Sequence, residues 1–396
     1  MKKCSLISSV IMIFVIMSCV REEKLETVID KALLFSEQQY RLMAEKYADH
    51  DSILPRSFEN GVNTMSDSRW WTSGFFPGSL WYLYENSENS TILEYAKLYT
   101  DRVEREKYTT DNHDVGFMLY CSFGNGLRLI REKRYEEVLL TGAYSLATRY
   151  NSDIGLIRSW DHSEDRWQYP VIIDNIMNLE LLLWAYNYSD DPIFKEITLS
   201  HADKTIEHHF RSDYSSYHVV SYDTILAIPH TKQTHQGYSD ESMWSRGQAW
   251  GLYGYTYLYR ELKDERYLIQ AQNIADFLIH HPNMPEDYIP YWDYNAPDIP
   301  NTYRDSSAGS IMASALIELS DFVGESRAKE YMAVAEKQIR TLASPEYTAN
   351  LGGNGCFILK HGMGAYPFNS EMDVPLTYGD YYYLEALTRL KKKLNE

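Results

Sequence analysis

Helical stretches and turn-rich loops alternate over almost the whole chain, and nothing in it marks a boundary between two bodies. No Pro/Gly/Ser-rich linker, low-complexity tract or block of like charge interrupts the pattern, so residues 31–396 read as one domain. Apolar residues recur at helical spacing at Ile172, Ile176, Leu179 and Leu183, at Ile311, Ala315 and Leu316, and through Ala271 to Ile279 and Tyr331 to Leu342. Extended alternation is short, as in Tyr217 to Tyr222 and Phe357 to Leu359. An all-α domain with functional loops and short strands is expected. Periodicity alone leaves a solenoid, a bundle and a closed toroid open.

The first residues stand apart from that domain. Met1-Lys2-Lys3 is a basic start, Ser5 to Met17 is mostly apolar, and the run is too short to span a bilayer stably. Residues 1–18 read as a secretory signal. Ser18 before Cys19 resembles a bacterial lipobox, in which that Cys is acylated after cleavage, although Met17 is an unusual occupant of its position. Residues 19–30, with Arg21-Glu22-Glu23, read as a polar tether. The expected location is the bacterial outer membrane, at the cell surface or on the periplasmic face.

Removal of residues 1–18 leaves 36 basic against 56 acidic side chains, a net charge of −20. Such a body does not suit nucleic acid, whose phosphates need clustered Lys and Arg. Cys121 and Cys356 remain, too few for a disulfide scaffold or a four-Cys zinc site, and both are expected as buried thiols. With 34 Tyr, 9 Trp and 13 Phe, aromatics are as numerous as the carboxylates. Aromatic walls beside carboxylates suit sugars.

The chemistry concentrates in four stretches. In Arg69-Trp70-Trp71-Thr72-Ser73-Gly74, Gly and Pro break the chain just before an apolar run, and a Trp there can stack on a sugar or fill the core. Asn112-His113-Asp114 precedes a helix whose Gly124 and Gly126 suggest close packing, and an Asp at a helix start also serves as an N-cap. In Val171-Ile172-Ile173-Asp174, a carboxyl lies among Ile residues, where desolvation raises its pKa. The fourth stretch runs from Thr234-His235-Gln236 to Trp244-Ser245-Arg246 and Trp250. If it is helical from Glu241, Arg246 and Trp250 share a face, offering a guanidinium fork and an aromatic wall, or forming a structural Arg–Trp pair.

These stretches, in this order, resemble glycoside hydrolase family 88, the unsaturated glucuronyl hydrolases. The likeness runs from about Trp71 to Tyr378-Gly379-Asp380-Tyr381 and includes Ser216-Tyr217-His218, Tyr291-Trp292-Asp293 and Tyr303-Arg304-Asp305. The resemblance implies an (α/α)6 barrel, a six-hairpin toroid. It places the family's two essential carboxylates on Asp114 and Asp174, with His113 beside the first. Its uronate pocket falls on Trp71, His218, Gln236, Trp244, Arg246 and Trp250.

The implied substrate ends in a 4,5-unsaturated uronate left by a polysaccharide lyase, of glycosaminoglycan or ulvan type. A neutral Asp174 is expected to protonate C4, and Asp114, kept anionic by Asn112 and His113, to stabilise the cation. Arg246, with a protonated His218 and the Gln236 amide, is expected to grip the uronate carboxylate, so that Arg246→Ala mainly raises KM. Some members that prefer sulfated fragments carry Ser-x-x-Ser-x-Lys where this chain has Ala365, Phe368 and Ser370, so that sulfate contact is missing. Two other readings compete: an unsaturated rhamnogalacturonyl hydrolase acting on pectin fragments, and a non-catalytic sugar-binding lipoprotein. No metal-ligand spacing, phosphate loop or dinucleotide fingerprint is present in the sequence, so no metal and no cofactor are expected.

Overall fold

A computed structural model describes residues 23–395. Cys19 and the signal expected at 1–18 lie outside the described residues. Six helical pairs follow one another. An outer helix α1 (Leu25–Tyr47) precedes the inner α2 (Phe75–Ser87), and the outer α3 (Ser90–Asp101) precedes an inner helix built from α4 (Val115–Leu119) and α5 (Asn125–Ile130), joined by a π-helical turn at Tyr120–Gly124. The outer α6 (Lys133–Ala147) then leads to the inner α7 (Asn175–Ser189), and α8 (Pro192–His209) to α9 (Ser245–Leu262). Finally α10 (Glu265–Ile279) leads to α11 (Ser306–Leu319), and α12 (Glu325–Leu342) to α13 (Thr377–Asn395).

Each inner helix packs on the next, from α2 through α4–α5, α7, α9 and α11 to α13, and α13 returns to α2. That closure decides what periodicity left open: the chain is an (α/α)6 barrel. Inner helices are apolar nearly all round, as in α11, where every residue but Glu318 is buried, whereas α10 and α12 keep one polar face. Close approach is enforced locally. A Cβ on Gly116 would stand 2.6 Å from the Asn178 backbone, and one on Gly126 would stand 2.5 Å from the Tyr135 ring.

The connections are asymmetric, and this creates one functional end. Inner helices pass to outer ones through short turns at 88–89, 131–132, 190–191, 263–264 and 320–324. Several of these turns place a left-handed residue (Glu88, Asp190, Lys263) next to an N-cap (Asn89, Asp191, Asp264), a tight αα-hairpin. Outer helices return to inner ones through long segments at 48–74, 102–114, 148–174, 210–244, 280–305 and 343–376. These carry the short strands: β1 (Leu54–Glu59) with β2 (Val62–Ser66), β3 (Tyr150–Asn151) with β4 (Leu156–Ile157), the sheet β5 (Pro170–Ile172), β6 (Val219–Tyr222) and β7 (Pro229–Gln233), and β8 (Gly362–Ala365) with β9 (Ser370–Val374), all antiparallel. All six inner helices therefore start, positive end first, at the same mouth.

Four details differ from the expectations. The first helix begins at Leu25 and buries Ile29, so the span 25–30 belongs to the barrel and not to a tether. Ile172 lies in β5, paired with Val219, and its helix starts at Asn175. Phe357–Leu359 forms no strand beyond a single bridge from Leu359 to Thr348. Of the two thiols, both free, Cys121 is buried and Cys356 is half-buried.

Candidate active site

Asp114 and Asp174 occupy the N-cap positions of two adjacent inner helices, α4 and α7, and neither side chain caps its helix. Elsewhere in the fold Asp191, Asp264 and Asp305 do cap, each accepting the N–H two residues on. The two exceptions line a cavity of about 530 Å³ at the mouth of the barrel. Ser159, fully buried, ties their loops together. Its carbonyl accepts the His113 N–H at 2.9 Å, and its hydroxyl accepts the Ile172 N–H at 3.0 Å. Asn112 Oδ1 accepts the Asp114 N–H at 2.9 Å, and Ile173 N–H reaches the His218 carbonyl at 3.0 Å.

Burial sets the protonation of the site. The Asp174 side chain is 9% exposed and that of Asp114 19%. Desolvation raises both: Asp174 to about 6, held back mainly by the Arg246 charge, and Asp114 to about 8, pushed further by the Asp174 charge. Burial thus raises Asp114 as well as Asp174, and the polar setting of Asn112 and His113 does not by itself hold Asp114 in the ordinary carboxylate range. The Arg246 charge opposes the rise at Asp174 and the Arg149 charge opposes it at Asp114, and two desolvated carboxyls on one cavity disfavour carrying both charges together.

Imidazoles stand behind both carboxyls, and burial keeps them neutral. His113 is pushed down to about 3, with its Nε2 3.5 Å from Asp114 Oδ1. His218 is driven well below the usual histidine range. Its Nδ1 accepts two backbone N–H groups, from His235 and Gln236, each at 3.1 Å, which fixes the proton on Nε2, 3.7 Å from Asp174 Oδ2. His218 is thus a neutral donor facing Asp174 and not the cation expected for the substrate.

Of the remaining expected residues, Trp71, His113 and Gln236 line the cavity. Trp71 packs on Tyr378 at 4.9 Å and on Phe117 at 5.8 Å. Trp244, Arg246 and Trp250 stand one layer behind it. Arg246 is 1% exposed; it pairs with Asp305 at 3.1 Å and donates to the carbonyls of Met363 and, at 2.7 Å, Gly364. Its guanidinium lies between the Trp244 and Tyr378 rings, 4.5 and 5.1 Å from their centroids. Nη1 and Nη2 are spent on backbone and a buried carboxylate, Nε has no hydrogen-bond partner, and the guanidinium does not line the cavity, so it does not present the predicted fork to a uronate there. Trp244 stacks on His218 at 4.4 Å, and Trp250, fully buried among Phe117 and Tyr382, turns its N–H toward Asp174.

Several cavity residues carried no assigned role in the sequence reading: Arg56, Trp160, His162, His235, Phe368 and Glu371. Ser159-Trp160-Asp161-His162 has the same mixture of aromatic and polar residues as the stretches singled out, which is the signal that would have found it. Arg56 pairs with Glu371 at 2.6 Å and lies 3.9 Å over the Trp70 ring, while Arg69 pairs with Asp111 at 2.8 Å on the rim. Among the described residues, no group of three His, Cys, Asp or Glu is arranged to hold a metal ion.

The profile of Glycosyl Hydrolase Family 88 matches residues 44–393. An unsaturated glucuronyl hydrolase of Formosa agariphila is 46% identical over 323 residues, covering 81% of this chain and 80% of that protein. An unsaturated chondroitin disaccharide hydrolase of Streptococcus pneumoniae is 32% identical, covering 94% of this chain and 93% of its own. The crystal structure of an unsaturated glucuronyl hydrolase specific for heparin superposes with a TM-score of 0.91 at 44% identity, covering 94% of this chain and 99% of that one.

Proposed function

The chain belongs to glycosyl hydrolase family 88, and from that premise we propose how its own residues remove a 4,5-unsaturated uronate from the non-reducing end of a lyase-generated oligosaccharide. The observation that carries the reading is the pair Asp114 and Asp174: two desolvated carboxyls on neighbouring inner helices, neither engaged in capping, sharing one proton over a common cavity. An ordinary glycosidase protonates the leaving oxygen and attacks the anomeric carbon. A vinyl ether offers a better base, because its C4 accepts a proton while the ring oxygen shares the positive charge left at C5.

Asp174 is the donor. Its conjugate base is the better stabilised of the two, by the Arg246 charge, by the Trp250 N–H and by the Nε2–H of His218 at 3.7 Å. The reactive form is the one in which Asp174 holds the shared proton, with Asp114 anionic beside the developing cation. Water then adds at C5 and gives a proton back to Asp174, restoring the acid. The hemiketal opens, releasing the remaining sugar and an open-chain keto acid.

Oligosaccharides of glycosaminoglycan type are the substrate class that the relatives' activities support, and ulvan-type fragments offer the same vinyl ether. We further infer export with a lipid on Cys19, supported by the apolar Ser5–Met17 run and Ser18 before the Cys. Cys19→Ser should move the protein from the membrane to the soluble fraction, and membrane retention of that variant would refute the anchor. For the reaction, mixing with an unsaturated disaccharide in deuterated buffer should abolish the ultraviolet absorbance of the conjugated uronate and place deuterium next to the new ketone. Absorbance loss without that deuterium overturns the mechanism.

A further inference from the structure

Arg149, the residue after the C-cap of α6, is a buried cation that the reaction steps do not use and that does not line the cavity. Its guanidinium holds three partners at once. Nη1 donates to the Thr110 carbonyl at 2.6 Å, Nε donates to the Arg158 carbonyl at 2.8 Å, and Nη1 and Nη2 meet the two Asp161 oxygens at 3.0 and 2.9 Å. Its own carbonyl accepts the Arg158 N–H and the Tyr169 hydroxyl, each at 3.0 Å. Thr110 lies on the connection that leads to Asn112, His113 and Asp114, while Arg158 and Asp161 bracket Ser159 and Trp160 on the next one. The two connections also meet directly, where Asn112 bridges to Trp160 and the His113 N–H reaches the Ser159 carbonyl. One planar fork therefore fastens the backbone before Asp114 to the backbone that, through Ser159, holds Ile172 before Asp174.

The charge acts on the same residue as the geometry. It opposes the rise of the Asp114 carboxyl and disfavours a proton on His113. Around Asp114 the other titratable groups are Asp174, the neutral His113, His162, and Arg69 and Asp111, which pair with each other. Behind it, Asp161 offsets Arg149, and Arg158 lies between Asp161 at 3.3 Å and Glu164 at 3.2 Å. Both carboxylates face water, with side chains 43% and 69% exposed, so solvent screens them more than it screens buried Arg149. Lysine would keep the charge but not the fork.

We propose that Arg149 is a positioning residue of the hydrolase: it locks the segment from Thr110 to Asp114 onto the segment from Arg158 to Asp161 and so sets where Asp114 stands against Asp174. The inference rests on the hydrolase reading above, in which Asp114 is the anion while Asp174 donates. Kinetics on an unsaturated disaccharide, expressed per folded protein, are compared with the pH dependence of kcat/KM. Arg149→Lys and Arg149→Gln are both expected to lower kcat about tenfold or more, with KM changed by no more than about twofold, because Asp114 is displaced and substrate is not touched. Arg149→Gln is expected to move the alkaline limb up, since Asp114 then holds its proton more tightly, whereas Arg149→Lys leaves that limb in place. Asp161→Asn, at an exposed side chain, preserves folding and is expected to move the limb the opposite way, because the guanidinium is no longer offset. A kcat per folded protein within about twofold of the parent in both Arg149 variants overturns the proposal. So does an alkaline limb that stays in place in both Arg149→Gln and Asp161→Asn, which is what a role in stability alone would give. If the parent protein does not consume the disaccharide, it is the hydrolase reading that fails, and this one with it.

Discussion

Asp174 and Asp114 differ from surface carboxyls in one respect: both are costly to ionise where they stand. Between about 6 and about 8 the pair holds one proton, so kcat/KM should be greatest in that interval. Below it the anion beside the developing cation is lost, and above it the donor is lost. Asp174→Asn should lower kcat by about a thousandfold or more while leaving disaccharide binding intact, read by single-turnover kinetics and calorimetric titration. Asp114→Asn removes the charge that the pair shares, so the alkaline limb should move down toward 6. The same variant has a stability signature. A carboxyl raised from 3.8 to about 8 in the fold binds more protons native than unfolded, so its contribution is complete below about 4 and is lost as pH rises through 8. Asp114→Asn should therefore melt about 3 °C or more above the parent at pH 8.5 and close to it at pH 4, measured by scanning calorimetry.

Helix starts were readable as positions, but their use was not. An Asp before an apolar run is a cap at Asp191, Asp264 and Asp305 and a non-capping carboxyl on the cavity at Asp114 and Asp174, and the local sequences look alike. What separates them is the loop packed against the helix start, as where Ser159 holds the backbone of His113 and Ile172 beside the two non-capping residues. Arg246 on α9 shows the same limit. A guanidinium fork matches a substrate carboxylate or two backbone carbonyls equally well, and the fold fills it with Asp305 at the start of α11 and with the β8 carbonyls. Arg246→Ala leaves Asp305 buried without its cation and unpins β8, at a cost of about 3–5 kcal/mol in unfolding free energy, measurable by urea titration. It also removes the charge that holds Asp174 down, so the acid limb of the rate profile should move up. A rise in KM with unchanged stability would contradict this placement.

For the molecule as a whole, the barrel reconciles a net charge of −18 with an anionic substrate by gathering every inner-helix start at one mouth. Long-range repulsion persists, so raising ionic strength from about 0.01 to about 0.15 M, which shortens the screening length from about 30 to about 8 Å, should raise kcat/KM roughly twofold. A fall would show that attraction by the exposed rim, including Arg69, governs encounter. By itself the sequence determined a single α-rich body and the stretches in which aromatic and polar residues mix, because helical period, breakers and such mixing are properties of neighbours in the chain, and the resemblance to a family picked Asp114 and Asp174 out of them. The tertiary structure alone decided closure into a toroid, the retreat of Trp244, Arg246 and Trp250 behind the wall, the joint desolvation of Asp114 and Asp174, and the row of cavity rings from Phe368 through His235 and Trp160 to His162. Those outcomes depend on side chains from separate loops, far apart in the chain, meeting at one end of a ring, and no local pattern encodes which of them arrives at the surface of the cavity and which behind it.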